Sequence, residues 1–191
     1  MRSAEKSRYW LPLLPLIVLL AFVYWLDQQV KNEIAATANS QRHAPDGIME
    51  NFKATTMNQQ GRPRFILQAQ QSRHYPDHDT TELDAPFLTL LGTEGPPVHC
   101  KGIKGNVSSR GEEIVFRGNV VVQREPVALQ SAMTLHTEYL RVLPDQDLLT
   151  TPQAVTLFDV NNVVHAVGLE MDNKTRILKF LSQVRSEHHA K

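Results

Sequence analysis

One cysteine in 191 residues, Cys100, leaves no internal disulfide to be made, so a domain outside the cytoplasm would have to be held by its apolar core and strand pairing alone. Neither sign of charge is in excess. Twenty Lys and Arg face 20 Asp and Glu, which removes the broad basic surface that a nucleic acid requires. The length leaves no room for two large cores, and no G-x-x-x-x-G-K-[ST] loop for nucleotide phosphates occurs anywhere. Cys100 lies in the strand-like run Val98 to Lys104 and reads as a small buried hydrophobe.

What is present begins with an uncharged stretch, Tyr9 to Leu26. At about 1.5 Å per residue it spans roughly 27 Å as a helix, close to the hydrocarbon thickness of a bilayer. Aromatic pairs frame it, Tyr9-Trp10 and Tyr24-Trp25, as anchors at the headgroup level. Pro12 and Pro15 fall near its start, where several N–H groups lack intrahelical partners anyway. Arg2, Lys6 and Arg8 precede the span, which orients the N-terminus toward the cytoplasm. Ala36-Thr37-Ala38 resembles a leader cleavage site but sits about a dozen residues past the apolar run, too far for a secretory signal. The expected organisation is a cytoplasmic segment 1–8, a transmembrane helix 9–26, a polar linker 27–45, a domain 46–185 outside the cytoplasm and a polar tail 186–191.

Period-two alternation recurs through that domain: Phe65, Leu67 and Ala69, then Leu88 and Leu90, then Ile114 and Phe116, with Val120 and Val122 beyond Gly118. Turn residues punctuate it at Asn58 to Gly61, Pro76-Asp77, Gly92 to Pro97, Ser108 to Gly111, Pro144-Asp145, Asn161-Asn162 and Asp172-Asn173. Such short intervals leave no space for crossover helices, so the class is all-β and antiparallel. An internal repeat is also visible. Arg73-His74-Tyr75-Pro76-Asp77-His78-Asp79 recurs as Arg141-Val142-Leu143-Pro144-Asp145-Gln146-Asp147. In order thereafter, Leu88-Thr89-Leu90 matches Val155-Thr156-Leu157, Val98-His99 with Gly102 matches Val164-His165 with Gly168, and Ile114, Phe116 and Val120 match Leu178, Phe180 and Val184. Two such units cannot bury their apolar faces separately, so they are expected to stack into one twisted β-jelly roll with open edge strands at both ends.

In sum these residues resemble the LptC family of lipopolysaccharide export components. The resemblance is carried by Gly47, Ile48 and Phe52, then Gly61, then Ala69, His74, Tyr75 and Asp77, then Leu83 and Pro86, then Gly118-Asn119-Val120, Pro152 with Val155, and Ala166, Gly168, Leu169 and Asp172, in order behind the N-terminal anchor. It implies a single-pass inner-membrane protein whose periplasmic domain receives lipopolysaccharide from the LptB, LptF and LptG transporter and passes it to LptA. The ATPase is then a partner, and no cofactor is expected. An exposed methylene costs about 0.8 kcal/mol in water, so acyl chains need an apolar path. The expected lining is Phe52, Phe65, Leu67, Leu83, Leu88, Leu90, Ile114, Phe116, Val120, Leu157, Phe180 and Val184, and Gly61 and Gly168 are expected to shape the partner edges. Two rivals stand beside this reading. One is a structural anchor without lipid contact. The other is an enzyme or metal site at His74, Asp77, His78 and Asp79, whose repeat copy keeps only the aspartates.

Overall fold

The computed structural model describes residues 15, 17–28, 44–91, 95–126 and 131–188, and the chain divides into two units, Met1–Ala44 and Pro45–Lys191. In the first unit residues 17–28 are helical, and Phe22 stacks on Trp25 with ring centroids 6.1 Å apart. The span expected over 9–26 lies partly outside the described residues, as do segment 1–8 and most of the linker 27–45. Among the described residues no helix is long and apolar enough to cross a membrane.

Among its described residues the second unit is one antiparallel sheet of eleven strands: β1 (Gly47–Met57), β2 (Pro63–Tyr75), β3 (Thr80–Asp84), β4 (Phe87–Leu90), β5 (Val98–Lys101), β6 (Lys104–Ser108), β7 (Ile114–Arg124), β8 (Met133–Leu143), β9 (Leu148–Phe158), β10 (Asn162–Asp172) and β11 (Ile177–His188). β3 and β4 are the halves of one long strand, because both pair with β2, through Gln71 to Tyr75 and Phe65 to Gln68 respectively. β5 and β6 are likewise halves of a strand that pairs on one side with β4 and β3 and on the other with β7. With each broken pair joined, the long strands follow one another across the sheet in sequence order, as hairpin connections dictate.

Nearly every long strand is interrupted at mid-length, and the interruptions line up. β3 gives way to β4 at Ala85-Pro86, and β5 to β6 at Gly102-Ile103. The register shifts between Arg117 and Val120 in β7, between Thr137 and Arg141 in β8, and between Val167 and Leu169 in β10. Residues with positive φ sit at this level in β1 (Asn51), between β3 and β4 (Ala85), in β7 (Gly118, Asn119), in β10 (Gly168) and in β11 (Gln183). The other positive-φ residues, Gly61, Asp79, Gly95, Gly111, Asp147 and Arg176, occupy the connections between strands. A left-handed residue or bulge bends a strand and re-aims its side chains. Bends repeated from strand to strand fold the sheet across its own strands into two facing layers. Layer one holds β4, β5 and the matching halves of the long strands; layer two holds β3, β6 and the remaining halves.

Burial follows from that fold line. A flat sheet would leave both faces wet, yet inward residues of layer one (Leu67, Leu88, Val98, Cys100, Val122, Leu135) and of layer two (Leu83, Ile114, Phe116, Leu140, Val142, Leu169) form a single core cluster. Thr137 sits where the β8–β9 ladder opens, and its buried hydroxyl donates toward the carbonyls of Ala154 (3.0 Å) and Tyr139 (3.3 Å), satisfying backbone that the bulge leaves unpaired.

The internal repeat is structural. Asp79 and Asp147 close their turns at φ 48° and 51°, Thr89–His99 and Thr156–His165 make the same cross-strand contact (Oγ1 to Nδ1, 3.1 Å in each), and Asn119 and Gln183 supply equivalent bends. One boundary differs from the sequence reading. The tail expected from Ser186 is strand as far as His188, because Ser186 to His188 pair with Val164 to Asn162 and the His188 ring bonds the Asn162 side chain at 2.8 Å.

Gly168 shows what a bend requires. Its φ is +80°, and an added Cβ would lie 2.9 Å from Leu181 Cδ1. Gly61, at φ +72°, has nothing within 4 Å of the same atom. Gly168→Ala is expected to destabilise the domain by about 1–2 kcal/mol from the left-handed backbone plus displacement of Leu181. Gly61→Ala should show the backbone penalty alone, and urea denaturation of the two variants measures the difference.

Candidate functional site

The interior of the folded sheet is the candidate site. Nine of the twelve expected lining residues, Phe65, Leu67, Leu83, Leu88, Leu90, Ile114, Phe116, Val120 and Leu157, are between 0 and 8 % exposed and belong to the one core cluster. Phe52 and Phe180 pack against that cluster half-buried, one at each end of the sheet. Val184 is the exception, at 55 % exposed. It shares a strand face with Ser186, which lies opposite Val164, itself packed on the core. Its side is the expected one, but β11 is the last strand, and among the described residues nothing beyond it covers the residue. Among residues the sequence reading did not single out for the lining, Leu135, Leu140, Val142, Leu149 and Leu169 are equally interior. They come from β8 to β10, where alternation is broken by the bulges and so was harder to see.

The ends of the interior are uncapped. Among the described residues β1 pairs only with β2 and β11 only with β10, so both present a free row of backbone N–H and C=O groups. Apolar side chains accompany these rows: Ile48 and Met49 on β1, and Ile177, Leu181 and Val184 on β11, are all half or more exposed or nearly so. Gly61 closes the turn that holds β1 against β2, whereas Gly168 lies one strand in from the β11 edge and acts on it through the bend that sets its register.

Opposite the fold line the layers end in hairpin turns, and these meet across a mouth. Arg64 of β2 donates from Nη1 to Asp145 Oδ1 at 2.6 Å and from Nη2 to the carbonyl of Pro144, joining layer one to the β8–β9 turn of layer two. Phe65 lies against Gly111, and Gly95 packs on the Arg176 guanidinium. The Arg64 pair is largely solvated, with 27 % and 66 % of the two side chains exposed, and such pairs contribute roughly 0.2–1 kcal/mol. The mouth is therefore shut by weak contacts while the interior behind it is tightly packed. Beside the latch is an open cleft of about 610 Å³ reached by Asn58, Gln60, Arg62, Arg64, Asp147 and Lys174. The sequence reading missed these residues, which are polar, lie in or next to turns, and are brought together only by the folding of the sheet.

The histidine and aspartate cluster does not assemble into a ligand set. His74 turns Nδ1 to Thr81 Oγ1 (3.2 Å) with Nε2 3.8 Å from Asp79, while His78 faces Asp77 at 3.7 Å. Among the described residues no three such groups converge.

Residues 13–189 match the family described as lipopolysaccharide-assembly, LptC-related. The chain belongs to the LptC family. That family is a transport component of lipopolysaccharide assembly and not a family of enzymes, in keeping with a site built of aliphatic and aromatic side chains. No curated protein matches this LptC-family chain. Among solved structures it is similar to the crystal structure of LptH, the LptA-homologous periplasmic component of the conserved lipopolysaccharide transport device from Pseudomonas aeruginosa, with a TM-score of 0.54 and 8 % identity over 66 % of this chain and 95 % of that one. At that identity the likeness shows the β-jelly-roll fold alone.

Two titratable groups report on the packing. Cys100 is fully buried, and desolvation pushes its thiol up to about 12. It is expected to resist Ellman's reagent at pH 8 in the folded chain and to react at the rate of global opening, so a fast bimolecular reaction would mean that the interior breathes open. Asp84 ties three strands together on the outer face, accepting from Lys104 Nζ at 2.5 Å and Arg73 Nη2 at 2.7 Å. The Lys104 hydrogen bond, then Arg73 against some desolvation, holds its carboxyl below the usual value. A depressed folded-state pKa contributes stability above the unfolded value, about 3.9, and that contribution fades as pH falls through the folded one. Asp84→Asn should therefore lower the melting temperature at pH 7, and its gap to the parent should narrow as pH falls below the unfolded value, about 3.9.

Proposed function

We propose that this chain is a conduit in lipopolysaccharide transport: from the inner membrane, to which its N-terminal segment anchors it, it takes lipopolysaccharide delivered by the LptB, LptF and LptG transporter and passes it along the interior of the jelly roll to LptA. The observation that carries this reading is the single apolar interior, which runs from Phe52 on the β1 side to Phe180 on the β11 side and stops at a free strand edge at each end. A free edge invites β-augmentation by a similar sheet, which would join interior to interior. Acyl chains would travel between the layers, with Phe52, Leu83 and the other lining residues in contact with them as the mouth parts. Burying each methylene returns about 0.8 kcal/mol, so even a few of them outweigh the exposed ion pair that shuts the mouth.

One observation favours the rival, a scaffold without lipid contact: nine of the twelve lining residues are already buried, so the interior holds no standing groove at their positions. Photo-crosslinkers at Phe52 and Leu83, in membranes containing the whole transporter and supplied with ATP, separate the two. The conduit yields ATP-dependent adducts to lipopolysaccharide at both positions. Adducts to protein alone at Phe52, with none to lipid at either position, would leave only the scaffold.

A further inference from the structure

The cleft beside the latch has a chemistry that the apolar interior does not explain. Its polar wall is drawn from three segments distant in sequence: the β1–β2 hairpin and start of β2 (Asn58, Gln60, Arg62, Arg64), the β8–β9 turn (Asp147) and the β10–β11 turn (Lys174). Three cations face one carboxylate there. The hairpin that carries two of them is internally braced, because Asn58 Oδ1 accepts from the Gln60 and Arg62 backbone N–H groups at 3.0 and 2.9 Å, and Asn58 N donates to the Arg62 carbonyl at 2.8 Å. Arg62 is thereby held on a fixed backbone at the rim and not on a free loop. Guanidinium forks match the oxygens of a phosphoryl group in pairs, and an ammonium adds a point charge.

We propose that this cleft binds a phosphoryl group through Arg62, Arg64 and Lys174. The position fits an amphiphile. Arg64 and Phe65 are neighbours on β2 and point to opposite faces, one into the cleft and the other into the core, and Leu91 also borders the cleft. A phosphorylated sugar held at the rim would thus leave its acyl chains at the threshold of the interior. Arg64 is shared: a phosphoryl group that engages it competes with Asp145, the partner that ties the β8–β9 turn across the mouth, so occupancy of the cleft loosens the latch. The lipid as source of the phosphoryl group rests on the conduit reading above. The cleft itself does not, since free phosphate would satisfy the same donors.

The experiment uses the full chain in nanodiscs of zwitterionic lipid and compares it with the double variant Arg62→Gln/Lys174→Gln, both positions being exposed, with equal melting temperatures as the folding control. The probes are bisphosphorylated lipid A, the same lipid stripped of its phosphates, and inorganic phosphate. The expected result is at least about tenfold weaker binding of the bisphosphorylated lipid by the variant, with the dephosphorylated lipid bound equally by both proteins. Equal losses for both lipids, or no loss for either, would overturn the proposal. Should neither lipid bind the parent chain, the conduit reading fails and the inorganic phosphate titration decides: saturable amide shifts over residues 58–64 and 174 that vanish in the variant support a site for free phosphate, and their absence in the parent overturns it.

Discussion

Everything in this domain depends on nearly every long strand bending at the same level. A meander of alternating strands has one apolar face, and with no α-helix among the described residues of its own unit to cover it the sheet must cover itself. Folding across the strands, and not between them, achieves this without cutting the chain into two sheets. It also demands backbone that an L-residue in a regular strand does not adopt, and the left-handed positions of Asn51, Ala85, Asn119 and Gln183 mark where that demand is met by side chains other than glycine. Each costs on the order of 1 kcal/mol, which is small against the burial of residues such as Phe116 and Leu88, whose truncation in a core of this kind costs about 2–5 kcal/mol.

The same constraint decides where the domain can interact. A sheet folded this way has a closed side at the fold line, a seam of hairpin turns opposite it, and two ends where, among the described residues, the outermost strands have no neighbour. Closure at the seam is electrostatic and exposed, and the ends are apolar and unpaired, so neither resembles the packed interior. Membership of the LptC family places these features in lipopolysaccharide transport, and on the proposed reading the free ends join similar sheets so that acyl chains stay out of water.

Much of this was legible in the residues. Alternation at Phe65 to Ala69 and at Ile114 to Val122 announced strands, and Gly118 between Phe116 and Val120 already stood at the bend. The recurrence of R-x-x-P-D-x-D announced a duplicated hairpin, and it is found as a matched pair of turns. Hidden signals were those in which a bend is made by an ordinary residue: nothing about Ala85 or Gln183 predicts a positive φ, and across Thr137 to Leu140 the shift of the inward face erases the period of two. Ser186 to His188 looked like a tail because they are polar, yet an edge strand needs only backbone to pair.

By itself, then, the sequence determined the secondary structure class, the order of the strands and which side chains are apolar enough to be inside, since these follow from local periodicity and turn chemistry. Only the tertiary structure decided that the strands fold over one another, that Val184 stays in water despite its matching position, and that Arg64 reaches Asp145 some eighty residues away. Those outcomes depend on which surfaces meet once the sheet bends, and that is a property of the assembled layers and not of any stretch of chain.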